Sequence, residues 1–375
     1  MIYLDYSANT PVDARVLEQF CAVERRCIGN ANSHHQAGSA AKAEIDAATI
    51  KIASLLGVQP AEIIYTSGAS EANNFALKGL ARLSRHAGRH IISTPLEHSS
   101  VSGTLTALQE QGYEIDLLDV KQDGTVDLEH LKDLLRPDTI CVAITLVDSE
   151  LGVVQPVQEI AAILKAYPHC HLHVDATQAV GKIPVSFEGV DTMSLTAHKF
   201  YGLNGIGLLI KRRNLALEPL IHGGESTTIY RSGTPTVALA SSLACALDLA
   251  VTDLPGRVDH VAKLNAELRA ALSTYPLVRI NSPDHAIPHV LNLSVRNVKG
   301  TVFQRELDAK GVCVSVKSAC SSDGLPSRAV FAVSRDRRNA LSSWRISLSH
   351  LTTEDEIKAF LQAFDVCYRE LTAVH

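Results

Sequence analysis

The sequence predicts an α/β protein with a large domain on a mostly parallel sheet and a smaller α+β domain. Seven short apolar segments rich in β-branched residues alternate with amphipathic stretches between residues 63 and 210. Strands that alternate with helices form parallel sheets covered on both faces. A chain of 375 residues is also too long for one small core. The pattern changes near Leu254-Pro255-Gly256, where we expect the second domain to begin.

The predicted strands of the large domain follow one another in a regular order. Between them lie amphipathic stretches such as residues 157–166, in which Ala and Leu recur at helical spacing. The strands are predicted over residues 63–66, 90–93, 114–118, 140–144, 171–175, 192–196 and 207–210. Ligands of such sheets bind at the carboxyl ends of the strands. The residues that follow these strands are therefore the first candidates for a site.

The C-terminal part of the chain predicts a smaller domain of mixed helices and strands. Helices are predicted over residues 262–273, 301–310 and 354–368, and strands over residues 289–295 and 344–348. We expect the N-terminal segment to join them. The prediction is a large domain of residues 12–255 and a small α+β domain of residues 1–11 with 256–375.

Composition excludes several classes of protein. Hydrophobic residues make up 46% and charged residues 20% of the chain, as in an ordinary globular enzyme. The net charge of −5 gives no electrostatic reason to expect direct nucleic-acid binding. Eight scattered cysteines without a Cys-x-x-Cys pair, and sixteen histidines without His-Glu-x-x-His spacing, predict no metal site. With no visible signal peptide or bilayer-length apolar run, we expect a soluble, cytoplasmic protein without a membrane contact.

Asp175 and Lys199 are the most informative pair of residues in the chain. Each ends a buried apolar run, and they lie 24 residues apart. Pyridoxal phosphate needs a lysine amine for its Schiff base and a carboxylate that keeps the pyridine nitrogen protonated. Either residue alone is usually a solvated surface residue. The ordered pair, with the candidates below, predicts pyridoxal phosphate as the cofactor.

Three further segments carry residues suited to such a cofactor. Residues 66–74 form a strand end, a glycine turn and a helix start, which is an anion site or simply a Ser-capped helix. His98 follows a predicted strand and could stack on a planar ring and move protons, or be an ordinary hydrogen-bonded histidine. Gln178, close after Asp175, could bond the cofactor's phenolic oxygen, and residues 231–235 offer a cation and a hydroxyl for phosphate.

Cys320 and Arg345 are candidates for the chemistry at the substrate. Cys320 lies in a small, polar segment beside Lys317, which favours a low-pKa nucleophile over a buried, inert thiol. Arg345 lies on the following predicted strand and could clamp a substrate carboxylate in bidentate fashion. A structural ion pair is the alternative role for this arginine.

With these residues in place, the sequence resembles the cysteine desulfurases, pyridoxal-phosphate enzymes grouped with the class V aminotransferases. It is most similar to the branch that serves iron–sulfur assembly and tRNA thiolation. The resemblance extends from residues 3–11 to residues 351–357, nearly the whole chain. It implies the type I fold of pyridoxal-phosphate-dependent transferases and a homodimer with active sites at the subunit interface.

The resemblance implies a role for each candidate. Lys199 resembles the Schiff-base lysine and Asp175 the partner of the pyridine nitrogen. Gln178 matches the residue on the phenolic oxygen, and His98 matches the catalytic histidine stacked on the ring. The implied phosphate ligands are Ala69, Ser70, Thr196, His198 and, from the second subunit, Thr234. The implied substrate ligands are Arg345, Ser149 and Asn9.

The implied reaction is the removal of sulfur from L-cysteine. Cys320 matches the nucleophile of the family's Ser-Ala-Cys segment, so its thiolate would take the substrate sulfur as a persulfide and leave L-alanine. The persulfide would then pass to a sulfur-acceptor protein. Selenocysteine lyase and cysteine C–S lyase are the alternative activities. Cys320 discriminates between them and a desulfurase, because such lyases can release their product without an enzyme persulfide.

Several positions depart from the family pattern. Asp148 and Ser149 stand where two asparagines are usual, residues 225–230 replace a usual Gln-Glu-Arg-Gly run, and Lys317 replaces a glycine. The acceptor is expected in DNA phosphorothioation, tRNA thiolation or iron–sulfur assembly. We interpret these departures as marks of a dedicated paralogue with one partner, as in DNA phosphorothioation or tRNA thiolation, rather than the general housekeeping enzyme. A catalytically weakened homologue that only binds a partner is the alternative.

Overall fold

The computed structural model describes residues 1–317 and 325–373. Its strands are β1 (Ile2–Tyr3), β2 (Ile63–Thr66), β3 (His90–Ser93), β4 (Glu114–Leu117), β5 (Thr139–Thr145), β6 (His171–Asp175), β7 (Thr192–Thr196), β8 (Gly207–Lys211), β9 (Val278–Ile280), β10 (Val290–Val295), β11 (Val312–Cys313) and β12 (Ser343–Ser347). Its helices are α1 (Ala14–Arg26), α2 (Gln36–Leu56), α3 (Ala69–Leu83), α4 (Ser99–Gln109), α5 (Leu128–Leu134), α6 (Val157–Leu164), α7 (Val237–Thr252), α8 (Leu254–Leu272), α9 (Gly300–Ala309), α10 (Arg328–Ser334), α11 (Arg337–Ser342) and α12 (Glu354–Thr372).

A seven-stranded sheet with the order β2-β8-β7-β6-β5-β3-β4 organises the larger part of the molecule. The five strands from β7 to β4 run parallel, whereas β8 is antiparallel to both β7 and β2. This arrangement confirms the predicted α/β class and the mostly parallel sheet. The antiparallel β8 follows β7 after a short connection, which is too short for the crossover that a parallel neighbour would need.

Both faces of this sheet are covered, because successive side chains of a strand point to opposite faces. On one face, Val142 and Ile144 of β5 belong to a core cluster that also contains residues of α2, α6 and α7. On the other face, Cys141 and Ala143 belong to a cluster with residues of α3 and α4. Burial on both sides explains why β5 is an unbroken apolar run in the sequence.

A second core forms around a three-stranded antiparallel sheet, β12-β10-β9, and the short parallel pair β1-β11. Leu4 from the N-terminus packs there with Phe303, Trp344 and Phe364, and the Phe303 and Trp344 rings stack with centroids 5.1 Å apart. This separate core supports the proposal of a small domain that joins both ends of the chain. Helix α8 begins at Leu254, so the change of sequence pattern coincides with the first turn of a helix.

No single helix in the described part of the chain is long and apolar enough to cross a membrane. Helices α7 and α8 together have the length and apolar composition of a membrane span, but the pair is bent by 65°.

Candidate active site

The candidate site is a cavity of about 340 Å³ at the carboxyl ends of the parallel strands, within the size range of small-molecule sites. The predicted residues that line it are Ala69, Ser70, His98, Ser149, Asp175, Gln178, Thr196, His198, Lys199 and Arg345. Asn9 is outside this lining, and its amide donates to the Thr10 carbonyl. Thr234 is also outside the lining of its own chain's cavity. Cys320 lies outside the described residues.

Asp175 ends β6, and both of its carboxylate oxygens accept a hydrogen bond. The Thr177 backbone N–H donates to Oδ1 over 3.0 Å, and the Asn73 side-chain amide donates to Oδ2 over 2.8 Å. Asp175 is only 4% exposed. The carboxylate is therefore buried and held in one orientation, as a group that must meet one atom of a cofactor requires.

Lys199 ends the short 3₁₀ turn that follows β7 and points toward the N-terminal segment. Its Nζ donates to the carbonyl oxygens of Ser7 and Ala8 over 2.7 and 2.6 Å. The Gln178 Nε2 donates to the same Ser7 carbonyl over 2.9 Å, and Lys182 donates to the Gln178 Oε1. The N-terminal segment thus forms one wall of the cavity, and burial lowers the pKa of Lys182 well below its ordinary value.

His98 caps the N-terminus of α4 with its ring. Its Nδ1 accepts from the Ser100 backbone N–H over 3.1 Å and lies 2.8 Å from the Ser100 Oγ. Burial, with the nearby Lys199 and Arg328, lowers the His98 pKa, and Asp175 opposes that effect. The imidazole is therefore neutral at pH 7 and held by one of its two nitrogens.

The opposite end of the cavity is suited to an anion. Gly68, with φ of +154°, turns the chain from β2 into α3, whose first N–H groups have no carbonyl partner within the helix. The side chains of Thr196 and His198 line the same cavity and contact each other over 3.1 Å. Burial lowers the His198 pKa to about 4, so this ring is neutral. The helix dipole and these donors favour a phosphate here.

Arg345 lies on β12 and is 1% exposed. Its Nη2 donates to the Asp5 carboxylate over 2.8 Å and its Nη1 to the Ser149 backbone carbonyl over 2.7 Å. Its Nε is buried and has no hydrogen-bond partner within the described ranges. Ser149 therefore meets the arginine through its backbone, which any residue at that position supplies.

Two buried carboxyl groups have strongly shifted pKa values. Burial raises the pKa of Glu97 to about 8 and that of Asp148 to about 7. The sequence analysis named Asp148 only as a departure from the family pattern and did not name Glu97.

The sequence analysis also missed Asp5, which holds Arg345, Asn73, which holds Asp175, and Lys182, which contacts Gln178. Lys182 lies four residues after Gln178, and that spacing was the one available signal. Asp5 and Asn73 make their contacts to residues distant in sequence.

The residues present fit pyridoxal phosphate. A lysine amine, a buried carboxylate and an anion-binding helix terminus surround one cavity, as this cofactor requires. Three cavity-lining residues also have a buried polar atom without a partner among the described residues: Ser7 Oγ, Thr177 Oγ1 and Arg345 Nε. Buried polar atoms are normally hydrogen-bonded, so these atoms indicate a polar ligand.

Fold and site together define an enzyme that works with pyridoxal phosphate. The family model described as Aminotransferase class-V matches residues 2–360, and the chain belongs to this family. A cysteine desulfurase IscS of Proteus mirabilis is 40% identical, over 95% of this chain and 90% of its own length. A solved NifS-like protein is 36% identical with a TM-score of 0.92, covering 99% of each chain. A structure of SspA in complex with cysteine is 30% identical with a TM-score of 0.83, covering 94% of this chain and 100% of its own.

These findings confirm the resemblance to the cysteine desulfurases and the predicted pyridoxal-phosphate-dependent fold. They also confirm the cofactor and the class of enzyme. The roles of individual residues, the homodimer and the location in the cell stay predictions.

Proposed function

We propose that this chain removes sulfur from L-cysteine, releases L-alanine and carries the sulfur as a persulfide on Cys320. The observation that carries the proposal is the meeting of Lys199, Asp175 and a buried Arg345 in one cavity. The overall reaction is balanced: the thiol of Cys320 gains one sulfur atom, and cysteine without that atom is alanine. The related SspA structure contains cysteine, which supports this substrate.

The cofactor, when bound, supplies an electron sink for the negative charge that develops at the substrate Cα. In the proposed binding mode, Asp175 holds the proton of the pyridine nitrogen and Gln178 donates to the phenolic oxygen. His98 packs on the ring. The residues proposed to hold the phosphate are Ala69, Ser70, Thr196, His198 and, from the partner subunit, Thr234.

The substrate is held by residues of both domains. Arg345 is buried and lines the cavity, so we assign its guanidinium the α-carboxylate of cysteine. Ser149 and Asn9 remain proposed substrate neighbours, Ser149 through its position in the cavity wall. Lys199 Nζ moves the proton at the substrate Cα. The neutral His98 transfers a proton to the alanine that is formed.

The partner of the persulfide is proposed to be a sulfur-acceptor protein of one dedicated pathway. The departures at Asp148, Ser149, residues 225–230 and Lys317 support a specialised rather than a general enzyme. DNA phosphorothioation, tRNA thiolation and iron–sulfur assembly are the pathways proposed. We also propose a homodimer in the cytoplasm, without direct contact to nucleic acid or membrane.

The decisive test measures alanine formed from L-cysteine in the presence of dithiothreitol, in wild type and Cys320→Ala. We expect one alanine per sulfide from wild type and a loss of about 100-fold or more in Cys320→Ala, because removal of the nucleophile removes the covalent step. The absorbance of the bound cofactor should be the same in both. Cys313→Ala is the matched control and should match wild type.

Three outcomes would contradict the proposal. Full alanine formation by Cys320→Ala, together with faster turnover of selenocysteine, would indicate a selenocysteine lyase. Pyruvate in place of alanine would indicate a cysteine C–S lyase. A cofactor-loaded wild type that forms neither product would indicate a homologue that only binds a partner.

A further inference from the structure

The buried side chain of Asn73, in the second turn of α3, makes four hydrogen bonds at the base of the cavity. Its Nδ2 donates to Asp175 Oδ2 over 2.8 Å and to Ser100 Oγ over 2.9 Å. Its Oδ1 accepts from Ser194 Oγ over 2.5 Å and from His173 Nε2 over 3.0 Å. A side-chain amide has two N–H donors and two lone pairs on oxygen. The hydrogen-bonding capacity of Asn73 is therefore fully used.

The orientation of the Asn73 amide is set by its partners. The reverse orientation would place Oδ1 against the Asp175 carboxylate, where two acceptors would face each other. In the observed orientation Ser194 donates its hydroxyl proton, and His173 carries its proton on Nε2. Burial lowers the His173 pKa to about 4, so the His173 ring is neutral and its Nδ1 is left to accept from Thr192 over 2.9 Å.

The Ser100 hydroxyl connects the same amide to His98. Ser100 Oγ accepts from Asn73 over 2.9 Å and lies 2.8 Å from His98 Nδ1. The Ser100 backbone N–H donates to the same Nδ1, over 3.1 Å. A ring nitrogen that accepts from an N–H carries no proton, so the Ser100 hydroxyl also donates to it. The neutral ring of His98 therefore carries its proton on Nε2.

We propose that Asn73 is a positioning residue that fixes the Asp175 carboxylate and, through the Ser100 hydroxyl, the orientation of the His98 ring, whose Nε2–H tautomer the Ser100 backbone N–H sets. In that tautomer His98 enters the reaction as a proton donor through Nε2. One amide thus sets the group proposed to meet the ring nitrogen and the group proposed to pack on the ring face. The inference rests on the proposed function for the reaction, but its structural part concerns hydrogen bonds within the chain.

The direct test is the ¹⁵N spectrum of histidine-labelled, cofactor-loaded wild type, with His98→Gln used to assign the His98 signals. We expect a protonated Nε2 and an unprotonated Nδ1 at pH 7. The charged or titratable groups that face His98 are Asp175, Lys199 and Arg328, so the spectrum should be recorded across the pH range of activity. A protonated Nδ1 in wild type would overturn the proposal without any Asn73 variant.

The Asn73→Leu variant tests whether Asn73 acts on both the Asp175 carboxylate and His98. We expect the dissociation constant of the cofactor to rise about 10-fold, because a charge-assisted hydrogen bond to Asp175 is lost. The pH midpoint of the cofactor's absorbance should shift, and the ¹⁵N signal of His98 Nδ1 should move, because the Ser100 hydroxyl is no longer held by Asn73. Ser100→Ala should move the same His98 signal while it leaves the cofactor's dissociation constant within about 2-fold of wild type, since neutral hydrogen bonds contribute less.

Matched variants separate positioning from general loss of packing. Asn265→Leu removes another buried amide, one that donates to the Pro288 carbonyl in the second core region, and should change neither spectrum. If Asn73→Leu does not fold, Asn73→Asp keeps the oxygen that accepts from Ser194 and His173 and removes the donors. An unchanged absorbance midpoint and an unchanged His98 Nδ1 signal in either folded variant would refute the proposal. Because these readouts are spectroscopic, they stand even if wild type forms no alanine.

Discussion

At the scale of single residues, the arginine proposed to bind substrate is held by a residue of the N-terminal segment. Asp5 binds Arg345 Nη2 through Oδ1 and accepts from Ser315 Oγ through Oδ2, over 2.7 Å. Ser315 in turn exchanges two backbone hydrogen bonds with Arg345. The guanidinium is thereby held in one orientation by its neighbours before substrate arrives.

We predict that Asp5→Ala raises the KM for L-cysteine about 10-fold with a smaller change in kcat, because the arginine is no longer oriented for the carboxylate. It should also lower the free energy of unfolding by about 3 kcal/mol, since a buried guanidinium loses its counter-charge. Steady-state kinetics and urea denaturation measure the two effects. Asp133→Ala, which removes an exposed carboxylate on α5, is the control. An unchanged KM in Asp5→Ala would contradict this role.

At the scale of elements, the anion end of the cavity depends on how closely β8 approaches the turn before α3. A Cβ added at Gly207, the first residue of β8, would lie 2.7 Å from the Gly68 Cα and 2.6 Å from the Leu195 carbonyl oxygen. Both are backbone atoms, which a side-chain rotation cannot move. The glycine at position 207 therefore sets the position of the Gly68 turn and of the N–H groups that follow it.

The prediction at this scale is that Gly207→Ala weakens cofactor binding by about 10-fold or more, because displaced N–H groups lose their alignment with the phosphate. Spectral titration with pyridoxal phosphate measures the effect. Gly103→Ala in α4 is the matched control, since a Cβ there meets no atom within 4 Å. That variant should bind the cofactor normally and gain up to about 1 kcal/mol in stability from helix propensity. Equal affinity in both variants would show that the close approach is unimportant.

At the scale of the whole molecule, one segment of the large domain exposes apolar side chains that the single chain does not cover. Ile229 is 67% and Ile221 is 39% exposed, and Thr234, beyond them, is absent from the lining of its own cavity. Exposed apolar side chains in one segment favour contact with another protein surface. A homodimer that brings Thr234 to the partner's cavity would account for both features.

We predict a particle of twice 40.4 kDa and complementation between two defective chains. Lys199→Ala removes the anchor in its own cavity, and Thr234→Ala removes a phosphate ligand from the partner's cavity. A mixed dimer of the two should contain one fully native site, with wild-type cofactor affinity and about half the activity per dimer, because both changes fall in the same cavity and leave the other intact. Light scattering and co-purification of differently tagged chains measure this. A monomer, or a mixed dimer whose working site keeps the Thr234→Ala affinity, would argue against a contribution across subunits.

The parallel sheet could be predicted because its strands are buried on both faces and therefore appear as apolar runs. The prediction placed β2, β3, β6 and β7 at their observed bounds. It also found Asp175 and Lys199, because the residues at strand ends are read directly from the chain. The start of α8 at Leu254 was missed, since proline in the first turn of a helix resembles a linker.

The sequence by itself determined the fold class, the cofactor and the order of the chemical groups, because local periodicity and strand ends carry that information. The tertiary structure alone decided how those groups are oriented. Asn73 meets Asp175 across 102 positions, and Asp5 meets Arg345 across 340. Such contacts leave no periodic pattern in the sequence. A buried amide or carboxylate is oriented by its hydrogen-bond partners, and only folding brings those partners within hydrogen-bonding distance.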